Sequence, residues 1–114
     1  MTRYLISFDH GAMDHIADEE GPAVRDASLA VIRDAKAAGV WVFAEGVYPG
    51  DEVSAKVVAP DGTVTEGAEN NIAGVTIVDV PSLDEALEWA AKLADALRCP
   101  QEVREFAPVP ELGD

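Results

Sequence analysis

Hydrophobic and polar positions alternate in short blocks along this chain, and the period of each block predicts its element. Arg3 to Phe8 (RYLISF) is a brief apolar run rich in β-formers and reads as a first strand. Alternation sets Tyr4, Ile6 and Phe8 on one face and Leu5, Ser7 and Asp9 on the other. It does not say which face meets the helices. Asp9 to Gly21 is polar and reads as a loop. From Pro22 the period lengthens. Val24, Ala27, Val31, Ala35 and Ala38 recur at three- and four-residue steps, predicting an amphipathic helix that Gly39 closes. Val40 to Glu45 (VWVFAE) is strand-like, with Trp41 and Phe43 alternating against Val42 and Ala44. Gly46 to Asp51 reads as a turn or loop.

Val53 to Ala59 reads as another strand, and Pro60-Asp61-Gly62 as a tight turn into a short hairpin partner, Thr63 to Thr65. Glu66 to Asn71 is loop-like. Gly74 to Val80 (GVTIVDV) is the clearest strand, ended by Pro81. Ser82-Leu83-Asp84-Glu85 has the form of a capping box. Leu83, Ala86, Leu87, Ala90, Leu93, Ala94 and Leu97 then form the apolar stripe of a second helix, which Pro100 stops. Glu102 to Ala107 is a last strand. The order approximates β-α-β-β-α-β with an additional short hairpin, an α+β ferredoxin-like fold in one domain spanning residues 1–114. Two helices cover one face of such a sheet, so the other must meet solvent, a ligand or a partner.

The charge narrows the function. Eight Lys+Arg stand against 22 Asp+Glu, a net charge of −14, in a chain that is 48 % hydrophobic. Such a chain repels phosphate backbones and anionic lipid, so neither nucleic acid nor membrane is expected as a partner. A single cysteine, Cys99, precludes an intrachain disulfide and suits a reducing compartment. The first residues lack the long apolar core and cleavage site of a secretion signal, and the expected location is cytoplasmic.

The order of several short words resembles the YCII-related, DGPF-domain proteins of the dimeric α+β barrel superfamily. The words are Tyr4-Leu5-Ile6-Ser7-Phe8, Ala37-Ala38-Gly39-Val40 leading to Glu45-Gly46-Val47, and Pro60-Asp61-Gly62-Thr63-Val64-Thr65. They continue with Ile72-Ala73-Gly74-Val75-Thr76-Ile77-Val78-Asp79-Val80 and Leu83-Asp84-Glu85-Ala86-Leu87-Glu88-Trp89-Ala90-Ala91. The resemblance implies a homodimer whose sheets face each other around a cavity, forming a dimeric α+β barrel. Relatives have been linked to elimination chemistry on chlorinated quinol rings through a His–Asp pair, and others occur with transcription sigma factors. Two departures stand out. The DGPF word is absent, whether it is aligned on Asp61-Gly62-Thr63-Val64 or on Glu66-Gly67. The histidine that such proteins carry near the start of the first helix is replaced by Gly21-Pro22-Ala23-Val24-Arg25. The family's His–Asp chemistry therefore transfers to no residue here.

His10 and His15 are the only histidines. Histidine is the usual proton shuttle near neutral pH, so His10 with Asp9 or Glu45 is the candidate catalytic set. A plain solvated acidic loop is the competing reading. Asp9, His10, Asp14 and His15 do not match a compact zinc motif, and neither metal nor cofactor is expected. Phe8, Trp41 and Phe43 are candidates to line an apolar ligand pocket, with Lys56 or Arg104 as a scarce cation for a carboxylate or enolate. Core packing for the aromatics and rim charge for the cations compete with that reading. Three functions remain open. They are a small cofactor-free enzyme acting on an organic acid or phenol by acid–base chemistry, a non-catalytic small-molecule-binding or regulatory dimer, and a dimer with no cavity.

Overall fold

A computed structural model of the chain describes residues 1–67 and 72–113. Strand β1 (Thr2–Asp9) leads through a short 3-10 turn (Asp18–Glu20) into helix α1 (Gly21–Ala37) and strand β2 (Trp41–Gly46). Strands β3 (Lys56–Val58) and β4 (Val64–Glu66) form a separate arm. Strand β5 (Ile72–Val80), helix α2 (Leu83–Leu97), strand β6 (Glu102–Glu105) and a 3-10 turn (Pro110–Leu112) complete the order. The four strands of the main sheet are antiparallel in the order β2-β5-β1-β6, which is the ferredoxin-like arrangement.

Local chemistry sets the helix ends. Pro22 lies in the first turn of α1, where its missing N–H is harmless. Gly39, at φ +74°, turns the chain out of the helix, and the Val40 N–H returns to the Ala35 carbonyl at 3.1 Å. Ser82 caps α2, its Oγ accepting from the Glu85 N–H at 3.3 Å. Arg98 takes the left-handed conformation after α2, and its guanidinium pairs with Glu20 at 2.8 Å, tying the end of one helix to the start of the other.

Register assigns each strand residue to a face, because directly opposed antiparallel partners share one. Three rows lie under the helices. They are Trp41–Val78–Tyr4–Glu105, Ala44–Thr76–Ile6–Val103 and Gly46–Gly74–Phe8. Tyr4, Ile6, Val78 and Val80 are buried there against Ala35 of α1 and Ala86, Ala90 and Leu93 of α2. Ile6, Val78 and Val80 are fully enclosed, each contributing about 1.5–3 kcal/mol by burial. Neither helix covers the opposite face. Its rows are Glu45–Val75–Ser7–Glu102, Phe43–Ile77–Leu5–Arg104 and the pair Arg3–Asp79.

The structure corrects three expectations. Trp41 and Phe43 do not share a face: a bulge between them sends Trp41 to the core and Phe43 to the open face. The strand expected over Val53 to Ala59 is only Lys56–Val58 and lies outside the main sheet, because 49–53 are taken up by a turn in which the Glu52 and Val53 N–H groups donate to the Pro49 carbonyl. The loop expected over Asp9 to Gly21 contains the 3-10 turn and the first residue of α1. Of the loop expected over Glu66 to Asn71, Glu66 closes β4 and residues 68–71 lie outside the described residues.

One close approach locks β1 to β5. Gly74 faces Phe8, whose ring lies where a side chain would stand: an added Cβ would meet the ring at 2.3 Å. Gly74→Ala is expected to destabilise the fold by about 1–3 kcal/mol, the cost of overpacking, and Phe8→Leu in the same chain to restore part of it. Urea unfolding of the two variants checks this; a neutral Gly74→Ala would show that the ring swings aside freely.

Candidate functional site

The open face has an apolar centre, Leu5, Phe43, Val75 and Ile77, with a charged margin of Arg3, Asp79, Glu45, Glu102 and Arg104. Phe43 is 45 % exposed, whereas Ser7 in the adjoining row is 4 % exposed. Arg104 Nη1 lies 3.5 Å from Ser7 Oγ, and its Nη2 donates to Glu102 at 2.6 Å. A guanidinium carries five N–H donors, so the two contacts leave others for a ligand. Strand period explains the arrangement. Arg104 is opposite Leu5 and Glu102 opposite Ser7, so both charges stand on the face that the helices leave free.

The candidate acid–base set gathers at one end of the sheet. Asp9 ends β1 opposite Ile72, His10 follows it, and Glu45 sits near the end of β2 opposite Val75. His10 is half-buried, and its Nε2 is buried without a hydrogen-bond partner among the described residues. Neither Asp9 nor Glu45 therefore engages that nitrogen, and both carboxylate residues are exposed. His15 is exposed in the loop that follows.

The candidate ligand-binding residues are not brought together. Phe8 lies on the helix face over Gly74. Trp41 packs against the core, with Lys36 Nζ 4.5 Å from its ring centre. Phe43 alone of the three aromatics is on the open face. Lys56 belongs to the arm, where its Nζ donates to Glu66 Oε1 and to Ser54 Oγ at 3.0 Å, while Ser54 Oγ donates to Glu66 Oε2 at 2.7 Å. A shallow groove of about 460 Å³ runs from the end of β2 to the foot of the arm, lined by Gly46, Val47, Tyr48, Val53, Ser54 and Ala55. Among the described residues, no three His, Cys, Asp or Glu side chains are grouped to hold a metal ion, and no helix is long and apolar enough to cross a membrane.

Among the described residues, four groups show pKa shifts of clear origin. Burial raises the Tyr4 phenol, and the neighbouring Glu105 carboxylate adds to the rise. The Thr63 N–H holds Asp61 below the usual carboxylate range. Hydrogen bonds from Lys56 and then Ser54 hold Glu66 below its ordinary value of 4.5. Burial pushes the Cys99 thiol up, which keeps it an inert core residue.

Ser7 is the position that sequence reasoning passed over, since it lacks any nucleophile context. Its signal was positional: it alternates with Tyr4, Ile6 and Phe8, which lie on the helix face, and so had to lie on the other face.

The YCII-related domain family matches residues 3–106 of the chain. The chain belongs to the YCII-related family. No match was found among curated proteins.

The depressed pKa of Glu66 gives a signed prediction for the arm. Because the folded value lies below the unfolded one, the ion pair's contribution is full above about pH 4.5 and is lost as pH falls through the folded value. The side-chain resonances of Lys56 are expected to shift together with Glu66 on acidification, and Glu66→Gln is expected to abolish the shift. A Lys56 signal that ignores Glu66 in an NMR titration would refute the pairing.

Proposed function

We propose that the protein acts as a homodimer whose open sheet faces enclose a binding site for a small organic anion, a carboxylate or phenolate with an apolar body. The observation that carries this reading is the open face itself. Its apolar centre is bordered by Arg104, which touches the buried Ser7, and that row gives a ligand an apolar floor and a directional cation. In a chain with net charge −14, an anion needs such a local cation and a water-poor cavity to bind at all.

Surface area supports the pairing. The chain exposes 7679 Å², about 1,700 Å² above the roughly 6,000 Å² expected of a folded monomer of this mass. An excess of that size in each copy is of the order that obligate homodimers bury.

Acid–base catalysis by His10 is the second reading, favoured by one observation: the buried Nε2 of His10 has no partner among the described residues, as a group awaiting a substrate proton would. Asp9 and Glu45 are then the carboxylates that orient the ring once the cavity is closed.

Light scattering at micromolar concentration is expected to give a dimer mass, and Phe43→Glu a monomer. Aromatic carboxylates and phenols, screened by thermal shift, are expected to raise the melting temperature of the dimer. Arg104→Ala is expected to weaken the responding ligand about 10- to 100-fold, the cost of one charge-assisted hydrogen bond. His10→Ala leaves binding intact under the first reading and abolishes turnover under the second. A monomer at this concentration, or a panel that Arg104→Ala leaves unchanged, refutes the proposal.

A further inference from the structure

The β3–β4 arm stands apart from the sheet, yet it is well formed. The Ala59 N–H donates to the Thr63 carbonyl at 2.8 Å, and the Thr63 N–H donates to Asp61 Oδ1 at 2.9 Å. Gly62 supplies the φ of +90° that the turn requires. At the foot, Lys56, Ser54 and Glu66 are joined by hydrogen bonds, and the Gly67 N–H donates to the Ala55 carbonyl at 2.8 Å.

This ordered ribbon carries apolar side chains that the described residues leave uncovered. Register puts the Val58–Val64 pair on one face with Lys56–Glu66, and Val57–Thr65 on the other. Val57, Val58 and Val64 are 51 %, 65 % and 58 % exposed. An isolated two-stranded hairpin is marginal in water, so a valine-faced one held in shape is built to be covered.

We infer that the arm is a clasp whose Val58–Val64 face packs on a second copy of this chain, extending the sheet-to-sheet contact. The inference rests on the homodimer proposed above. Three observations select a second copy as the occupant. The chain measures 44 × 44 × 18 Å with a radius of gyration of 15.9 Å, against about 13 Å for a compact chain of this length. An 18 Å thickness is filled by one sheet and one helix layer, so the arm reaches beside the body and not over its own open face. The surface excess is larger than a flat sheet contact of standard size removes from one partner, about 800 Å². A twofold axis would then bring arm to body in both copies at once.

The test uses the full chain. The double variant Val58→Thr with Val64→Thr keeps β-branching and hence the ribbon. Sedimentation equilibrium is expected to show its dimer dissociation constant raised at least tenfold over that of the parent chain. A second variant, Val58→Cys, is treated with a thiol reagent at concentrations where the parent chain is a dimer. Its labelling is expected to be at least tenfold slower than on dilution into the monomer range; the native Cys99 is buried. A parent chain that is monomeric overturns the dimer and the clasp together. A dimeric parent whose affinity the Thr pair leaves unchanged, with the thiol introduced by Val58→Cys labelled at the free rate, overturns the clasp while the sheet-to-sheet dimer stands.

Discussion

The pairing of β1 with β5 is the constraint on which the remaining architecture depends. These are the two central strands, aligned in register from Thr2–Val80 to Phe8–Gly74. A slip of one residue would pair Leu5 with Val78, carrying Tyr4 and Ile6 away from the helices and bringing Leu5 and Ser7 in. The Phe8 ring over Gly74 makes such a slip costly, because every neighbouring residue of β5 carries the Cβ that the ring excludes. Fixing this register fixes both faces: the core with α1 and α2, and the open face with Arg104 beside Ser7.

Helix positions were largely legible because their signals are local. Pro22, Gly39, Ser82 and Pro100 mark ends through chemistry within a few residues, and the apolar stripes follow from burial on one side. The β1, β5 and β6 strands were legible to within a few residues for the same reason. Faces were less legible. Alternation gives two faces but no sign, and the sign comes from packing with α2, far along the chain. In β2 even the alternation failed, since the bulge after Trp41 is a tertiary accommodation: Trp41 joins the core beneath Lys36 while Phe43 stays in register with Ile77. Val53 to Ala59 misled for a different reason. Its valines carry β propensity, but propensity does not specify which sheet a strand joins, and the strand it forms, Lys56–Val58, pairs with β4 and not with the main sheet.

The candidate site was legible as a list and not as a place. Asp9, His10 and Glu45 lie toward the same end of the sheet, but neither carboxylate engages the His10 Nε2. Phe8, Trp41 and Phe43 separated because the face each occupies depends on the bulge and on the helices. Lys56 and Arg104 looked equivalent as rare cations. The structure distinguishes them by place: Lys56 is held across the arm by Glu66 and Ser54, whereas Arg104, paired with Glu102 and close to Ser7, stands on the open sheet face.

Charge and shape then bear on each other. Of the eight basic residues, Arg3, Lys56, Arg98 and Arg104 pair with carboxylates, and Lys36 and Lys92 lie over tryptophan rings. Little positive charge is left to steer an anion from a distance, and the surrounding field opposes one. Two acidic copies also repel, so whatever brings them together must be apolar and short-ranged. The open sheet centre and the arm valines are exposed surfaces of that kind, and the proposed dimer joins them. Closing them would remove water from Arg104, and a cation in a drier setting binds an anion more strongly than one on an open plate. Under the proposed dimer, assembly and anion recognition are one event and not two.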